Sequence, residues 1–161
     1  MPNLIAVDSG SFVAWLNARD KHHPRAVAFF KVRRERLVTT WPVITEVCHL
    51  APQPARAVFL RWIAAGGASV FHVPDEQSAV LAGLMDQYDD LPMDLTDASL
   101  IWLSHNRGTV LIATMDRTDF SVYRDAGGRR FRNLFFAAGS CIRRHHGMRS
   151  NTGRSGSSMN S

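Results

Sequence analysis

Asp8 closes an apolar run, Leu4-Ile5-Ala6-Val7, and is followed at once by Ser9-Gly10-Ser11. A buried strand that ends in a carboxylate, then breaks on small polar residues into a helix, puts one negative charge at the carboxyl edge of a sheet. Open α/β folds bind ligands and metals at that edge. Three more acids stand in comparable settings: Glu46 in Thr45-Glu46-Val47, Asp97 in Leu95-Thr96-Asp97-Ala98, and Asp116 in Ala113-Thr114-Met115-Asp116. Four separated carboxylates on otherwise apolar elements suit Mg²⁺ or Mn²⁺, which prefer oxygen ligands. Such an ion polarises a phosphoryl oxygen and lowers the pKa of a water, and one acid can accept the water's proton. Asp8, Asp97 and Asp116 are assigned to coordination, and Glu46 to coordination or to positioning the water. Ser9 and Thr114 could orient the acids through their hydroxyls, or be ordinary cap and turn residues.

Each acid has an ordinary alternative. Asp8 could cap the helix that follows it. Glu46 lies in the first turns of a helix beginning near Pro42, where negative charge favours the dipole. Asp94 and Asp97 have N-cap and N3 spacing, and Asp94 is assigned to capping and Asp97 to the site. Asp116 and Asp119 could form a turn after a strand. The set, with each acid at an element end, favours a common site. His22-His23 and His145-His146 have no His or Cys partner at metal-binding spacing. Cys48 reads as a small core residue. No GxGxxG or GxxxxGK[ST] is present, which removes support for dinucleotide or NTP binding.

The elements that must position these acids are short. Strands are expected at residues 3–8, 37–39, 69–73 and 110–113, with a last one at 120–123. Helices are expected at 11–18, 23–36, 54–65, 74–88 and 95–107, with another starting at Pro42, which suits a first turn. Short β-branched runs alternating with helices predict a parallel sheet covered on both faces. Residues 147–161 have no apolar periodicity and are expected to be disordered.

The 161 residues, 45% hydrophobic and 20% charged, fit one compact domain. No apolar run is long enough to cross a bilayer, no secretory signal is visible, and two cysteines make no disulfide framework. A cytoplasmic location is expected. The net charge of +5 is unevenly spread, since residues 126–161 hold seven Arg and no acid. The preceding 12 basic and 14 acidic residues leave the body slightly acidic. Residues 19–36 are basic and residues 86–97 acidic, a pairing that suits a polyanion substrate cut with metal help. Arg25, Arg33, Arg34 and Arg36 are candidates for contact with the backbone of such a polyanion, although a solvated helix face explains them equally well.

The order Val7-Asp8-Ser9, Thr45-Glu46-Val47, Thr96-Asp97-Ala98-Ser99-Leu100 and Thr114-Met115-Asp116-Arg117-Thr118-Asp119-Phe120 resembles the PIN domain. More narrowly, it is similar to VapC-type toxins of bacterial type II toxin–antitoxin pairs. The resemblance runs from about Asn3 to Leu134 and implies an α/β/α sandwich with a central, mainly parallel sheet of four to five strands. It implies a metal-dependent endoribonuclease domain over residues 1–135, with Asp8, Glu46, Asp97 and Asp116 as its acidic quartet and Asp119 as an additional acid. It also implies dimerisation and inhibition by a small cognate antitoxin. It says nothing of the basic, Ser/Gly-rich extension, residues 136–161. Two rivals remain at the level of sequence. One is a PIN-like RNA-binding module without turnover. The other is a phosphatase of the haloacid-dehalogenase type, which needs a second Asp where this chain has Gly10.

Overall fold

A computed structural model of the chain describes residues 3–125 and 127–137. Five strands, β1 (Leu4–Val7), β2 (Arg36–Thr40), β3 (Ser69–Phe71), β4 (Leu111–Ala113) and β5 (Arg132–Asn133), form one sheet in the order β3-β2-β1-β4-β5. Every pairing is parallel. Parallel neighbours need long crossovers, and the helices α1 (Ser9–Leu16), α2 (His23–Val32), α3 (Trp41–Leu50), α4 (Gln53–Ala64), α5 (Ser78–Gln87), α6 (Leu95–Arg107) and α7 (Asp119–Val122) supply most of them. The helices flank the sheet.

The central strand is the most apolar. Ile5, Ala6 and Val7 are completely buried, as a strand covered on both faces must be. α6 packs against β1 and β2, and Ala98–Ser104 are buried without a break. It starts at the N-cap Asp94 and stops at Gly108, whose φ of 65° is the left-handed conformation that ends helices. Phe12, Phe30, Phe59 and Trp62 interlock α1, α2 and α4 at ring separations of 5.0 to 6.3 Å. No helix among the described residues is long and apolar enough to cross a membrane.

Two expectations need correction, and one strand was not foreseen. The helix expected over residues 23–36 ends at Val32, and Arg33 and Arg34 lie in the connection to β2, whose first residue is Arg36. The strand expected at 120–123 is helical. Asp116 Oδ1 accepts the amide hydrogens of Thr118 and Asp119 at 2.6 and 3.0 Å, which winds the chain into a turn, and Phe120 and Tyr123 then point inward three residues apart. β5, a two-residue strand with no apolar run, gave no periodic signal. The disordered tail expected at 147–161 lies outside the described residues, as does the rest of the extension beyond Ala137.

Candidate active site

Parallel strands end on a common edge, and the acids collect there. Asp8 follows β1 directly and Asp116 lies three residues beyond β4. Glu46 is carried by α3, which begins as β2 ends, and Asp97 sits in the first turn of α6.

Asp8 is the most constrained. It is buried, caps α1 and accepts the Ser9 amide at 2.7 Å on Oδ1. Thr114 Oγ1 donates to its other oxygen, Oδ2, at 2.8 Å, and the same hydroxyl accepts the Asp116 amide at 3.0 Å. The Asn133 side chain brackets Thr114 in turn, its oxygen accepting the Thr114 amide at 3.3 Å and its nitrogen donating to the Thr114 carbonyl at 2.9 Å. A chain of hydrogen bonds therefore runs from β5 through the end of β4 to Asp8. Gly10 lets α1 start this close to β4, since a Cβ there would stand 3.0 Å from the Met115 Cβ.

Buried hydroxyls also tie down α6. Ser99 donates to the Thr96 carbonyl at 2.7 Å, and its Oγ lies 2.6 Å from that of Thr40 at the end of β2. Asp94 Oδ1 accepts the Asp97 amide at 2.8 Å, which is the N-cap geometry expected of it.

The electrostatics report convergence. Burial pushes the Asp8 carboxyl up to about 6 against its two hydrogen bonds, with Glu46 and Asp94 adding to the rise. Burial pushes Asp97 up to about 8, assisted by the charges of Asp94, Asp8, Asp119 and Asp116. Asp116 is raised by burial, but bonds from the Asp119 and Thr118 amides and from the Asp119 side chain hold it below the ordinary carboxylate range. Asp119 is pushed up to about 6 through burial, its bond to Asp116 and the Asp116 charge. No salt bridge relieves any of these acids: among the described residues only Arg33–Glu35 and Arg129–Asp125 pair.

No three His, Cys, Asp or Glu side chains among the described residues stand close enough to enclose a metal ion as they are. Uncompensated like charges repel one another in a partly buried site. The donor chemistry nevertheless fits a hard divalent cation, being all oxygen and unneutralised. Glu46 faces a groove of about 590 Å³ lined by Trp41, Pro42, Thr45, His49, Leu95 and Thr96.

Of the arginines singled out from the sequence, Arg25, Arg34 and Arg36 are exposed. Arg33 is turned inward, its guanidinium 4.6 Å from the Phe29 ring centre and 3.9 Å from Glu35. Sequence reasoning missed Asn133, because nothing marked Arg132–Asn133 as a strand. It also missed Tyr123, whose buried hydroxyl has no hydrogen-bond partner and whose pKa is raised by burial and by Asp97, Asp119, Asp116 and Asp94. An aromatic in a presumed strand carried no sign that it would lie among acids.

Comparison with known proteins bears on the family and the fold. The chain is 25% identical over 129 residues to Ribonuclease VapC26 of Mycobacterium tuberculosis, a match spanning 78% of this chain and 96% of that protein. The crystal structure of Mycobacterium tuberculosis VapC20, described as a sarcin–ricin loop cleaving toxin, superposes with a TM-score of 0.64 at 19% identity, over 71% of this chain and 91% of that one. The model of the PIN domain matches residues 5–125, which span β1 to the turn beyond α7 and carry every acid just described. A match of that extent leaves no place for the phosphatase alternative, and the chain belongs to the PIN-domain family.

Proposed function

We propose that this protein is an endoribonuclease, the toxin of a toxin–antitoxin pair, and that it hydrolyses RNA phosphodiester bonds with the help of Mg²⁺ or Mn²⁺. The observation that carries this reading is the gathering of Asp8, Asp116 and Asp119 within electrostatic reach of Asp97 at one sheet edge, with no basic side chain among the described residues paired to any of them. Membership of the PIN family and similarity to a VapC ribonuclease support it.

Asp8, Asp97 and Asp116 would hold the ion, Glu46 would hold it or position the attacking water, and Asp119 would be an additional ligand. A bound ion supplies Lewis acidity toward a phosphoryl oxygen and a lowered pKa for water. The chain's own residues do the rest. Ser9 and Thr114 hold both oxygens of Asp8 in one orientation, so little reorganisation is needed when substrate arrives. Asp97, which burial and its acidic neighbours push up to about 8 in the metal-free protein, would give up its proton as the ion binds and so couple metal binding to pH near neutrality. The partners are an RNA substrate and a small cognate antitoxin, the protein acts as a homodimer, and the site of action is the cytoplasm. Residues 1–135 form the nuclease domain.

The test is direct. Purified protein should cut RNA in Mg²⁺ or Mn²⁺, stop on addition of EDTA, and resume when the ion is restored in excess. Cleavage that continues undiminished in EDTA would rule out the metal mechanism.

A further inference from the structure

We infer that Arg25 and Arg117, gathered on the ring of Phe136 at the rim of the acidic site, form a binding site for a backbone phosphate of the RNA strand flanking the scissile bond. This rests on the ribonuclease reading above.

Arg117 lies between Asp116 and Asp119, yet it pairs with neither. Its guanidinium carbon instead lies 4.1 Å from the Phe136 ring centre. Arg25, from the first turn of α2, brings a second guanidinium to 5.4 Å from the same centre, and His22 meets the ring edge-on at 5.8 Å. Phe136 follows β5, so it stands at the carboxyl edge of the sheet, where the acids are. The loop thus divides its charges: two carboxylates turn toward the site and one cation turns outward.

Each guanidinium gains modestly from the ring face. Their guanidinium carbons are at most about 9.5 Å apart, close to the roughly 8 Å Debye length at physiological salt, so their repulsion is weakened by salt but not abolished. Neither has an acidic partner among the described residues. An anion between them would relieve that repulsion, and a planar guanidinium suits a phosphate. The substrate supplies the need. A polyanionic strand approaching this cluster of acids is repelled wherever the metal does not neutralise them, so its register must be set by cations nearby. Arg117 is the nearest to the acids in sequence, and Phe136 joins it to Arg25 on a different element.

The test uses the full chain carrying Asp8→Asn, to prevent turnover, and a short fluorescent single-stranded RNA. Affinity is measured against salt for this protein and for versions that also carry Arg25→Gln, Arg117→Gln, both, or Phe136→Leu. Arg61→Gln on α4 is the control, since it removes one exposed charge near the opposite edge, from which β3 starts. Each rim arginine should weaken binding roughly fivefold to tenfold, and the slope of log affinity on log salt should flatten by about one per arginine. Phe136→Leu should weaken binding with little change in slope, because it removes the platform and no charge. Arg61→Gln should change neither. Unchanged affinity and slope in the double variant would overturn the inference, and would fit a rim that meets an acidic protein partner instead. Absence of any RNA binding by the Asp8→Asn protein with its arginines intact would count against the ribonuclease reading itself, a result distinct from the first.

Discussion

Asp94 and Asp97 stand three residues apart on one helix start and differ in what surrounds them. Asp94 is exposed and accepts the Asp97 amide, while Asp97 is half-buried among four acids. Asn caps nearly as well as Asp, so Asp94→Asn should leave the melting temperature almost unchanged. It also removes the largest like-charge contribution to the rise of Asp97, whose carboxyl should then lose its proton at lower pH. The acid limb of the cleavage pH profile should move to lower pH, with the plateau rate largely kept. A loss of rate as deep as that of Asp97→Asn would show that Asp94 belongs to the chemistry. The capping role of Asp94 was legible in the sequence because N-cap and N3 spacing is local. The raised Asp97 was not, since Asp8, Asp116 and Asp119 reach it from two other elements. The same holds for Thr114. Its place at the end of an apolar run was visible, but its bond to Asp8 spans 106 positions of the chain.

At the scale of elements, the sequence was most readable where one apolar face repeats. α6 was expected at 95–107 and occupies Leu95–Arg107, and α3 begins beside the proline that suggested it. It was least readable where a short element owes its form to side chains from elsewhere. α7 looks like a strand in composition, and the carboxylate of Asp116 decides otherwise. α2 stops at Val32 because Arg36, Leu37 and Val38 pair with β1, and the chain needs the intervening residues to turn. β5 is too short for any pattern, yet it carries Asn133, which joins the sheet edge to the site. Asn133→Ala should cost about 1–3 kcal/mol in thermal or denaturant unfolding, because the amide and carbonyl of Thr114 lose their partners. With Thr114 freed, the affinity for Mn²⁺ should fall by roughly 10- to 100-fold. Calorimetric titration with Mn²⁺ checks this, and an unchanged affinity in a destabilised protein would confine Asn133 to a purely structural role.

The whole molecule binds protons in a way that opposes its proposed cofactor. The folded-state values of Asp8, about 6, and Asp97, about 8, lie above the ordinary carboxylate value of 3.8. The folded chain therefore holds these protons more tightly than the unfolded chain does. Their contribution to stability is complete below about pH 4 and is lost as pH rises through 6 and then 8. Asp116 and Asp125 are lowered and act oppositely, costing stability only on acidification below the ordinary range. The metal-free protein should therefore melt at a higher temperature near pH 5 than near pH 8. Added Mn²⁺ competes with the same protons, so it should raise the melting temperature more at pH 8 than at pH 5. A pH-independent effect of the ion would place its binding away from these acids. The most direct test of the account is the single-turnover rate of RNA cleavage by Asp97→Asn in saturating Mn²⁺, with folding verified by its unfolding transition. The exchange keeps the shape and removes one charge from the centre of the cluster, so the rate should fall at least about a hundredfold. A folded Asp97→Asn protein that cuts at the wild-type rate would contradict the account.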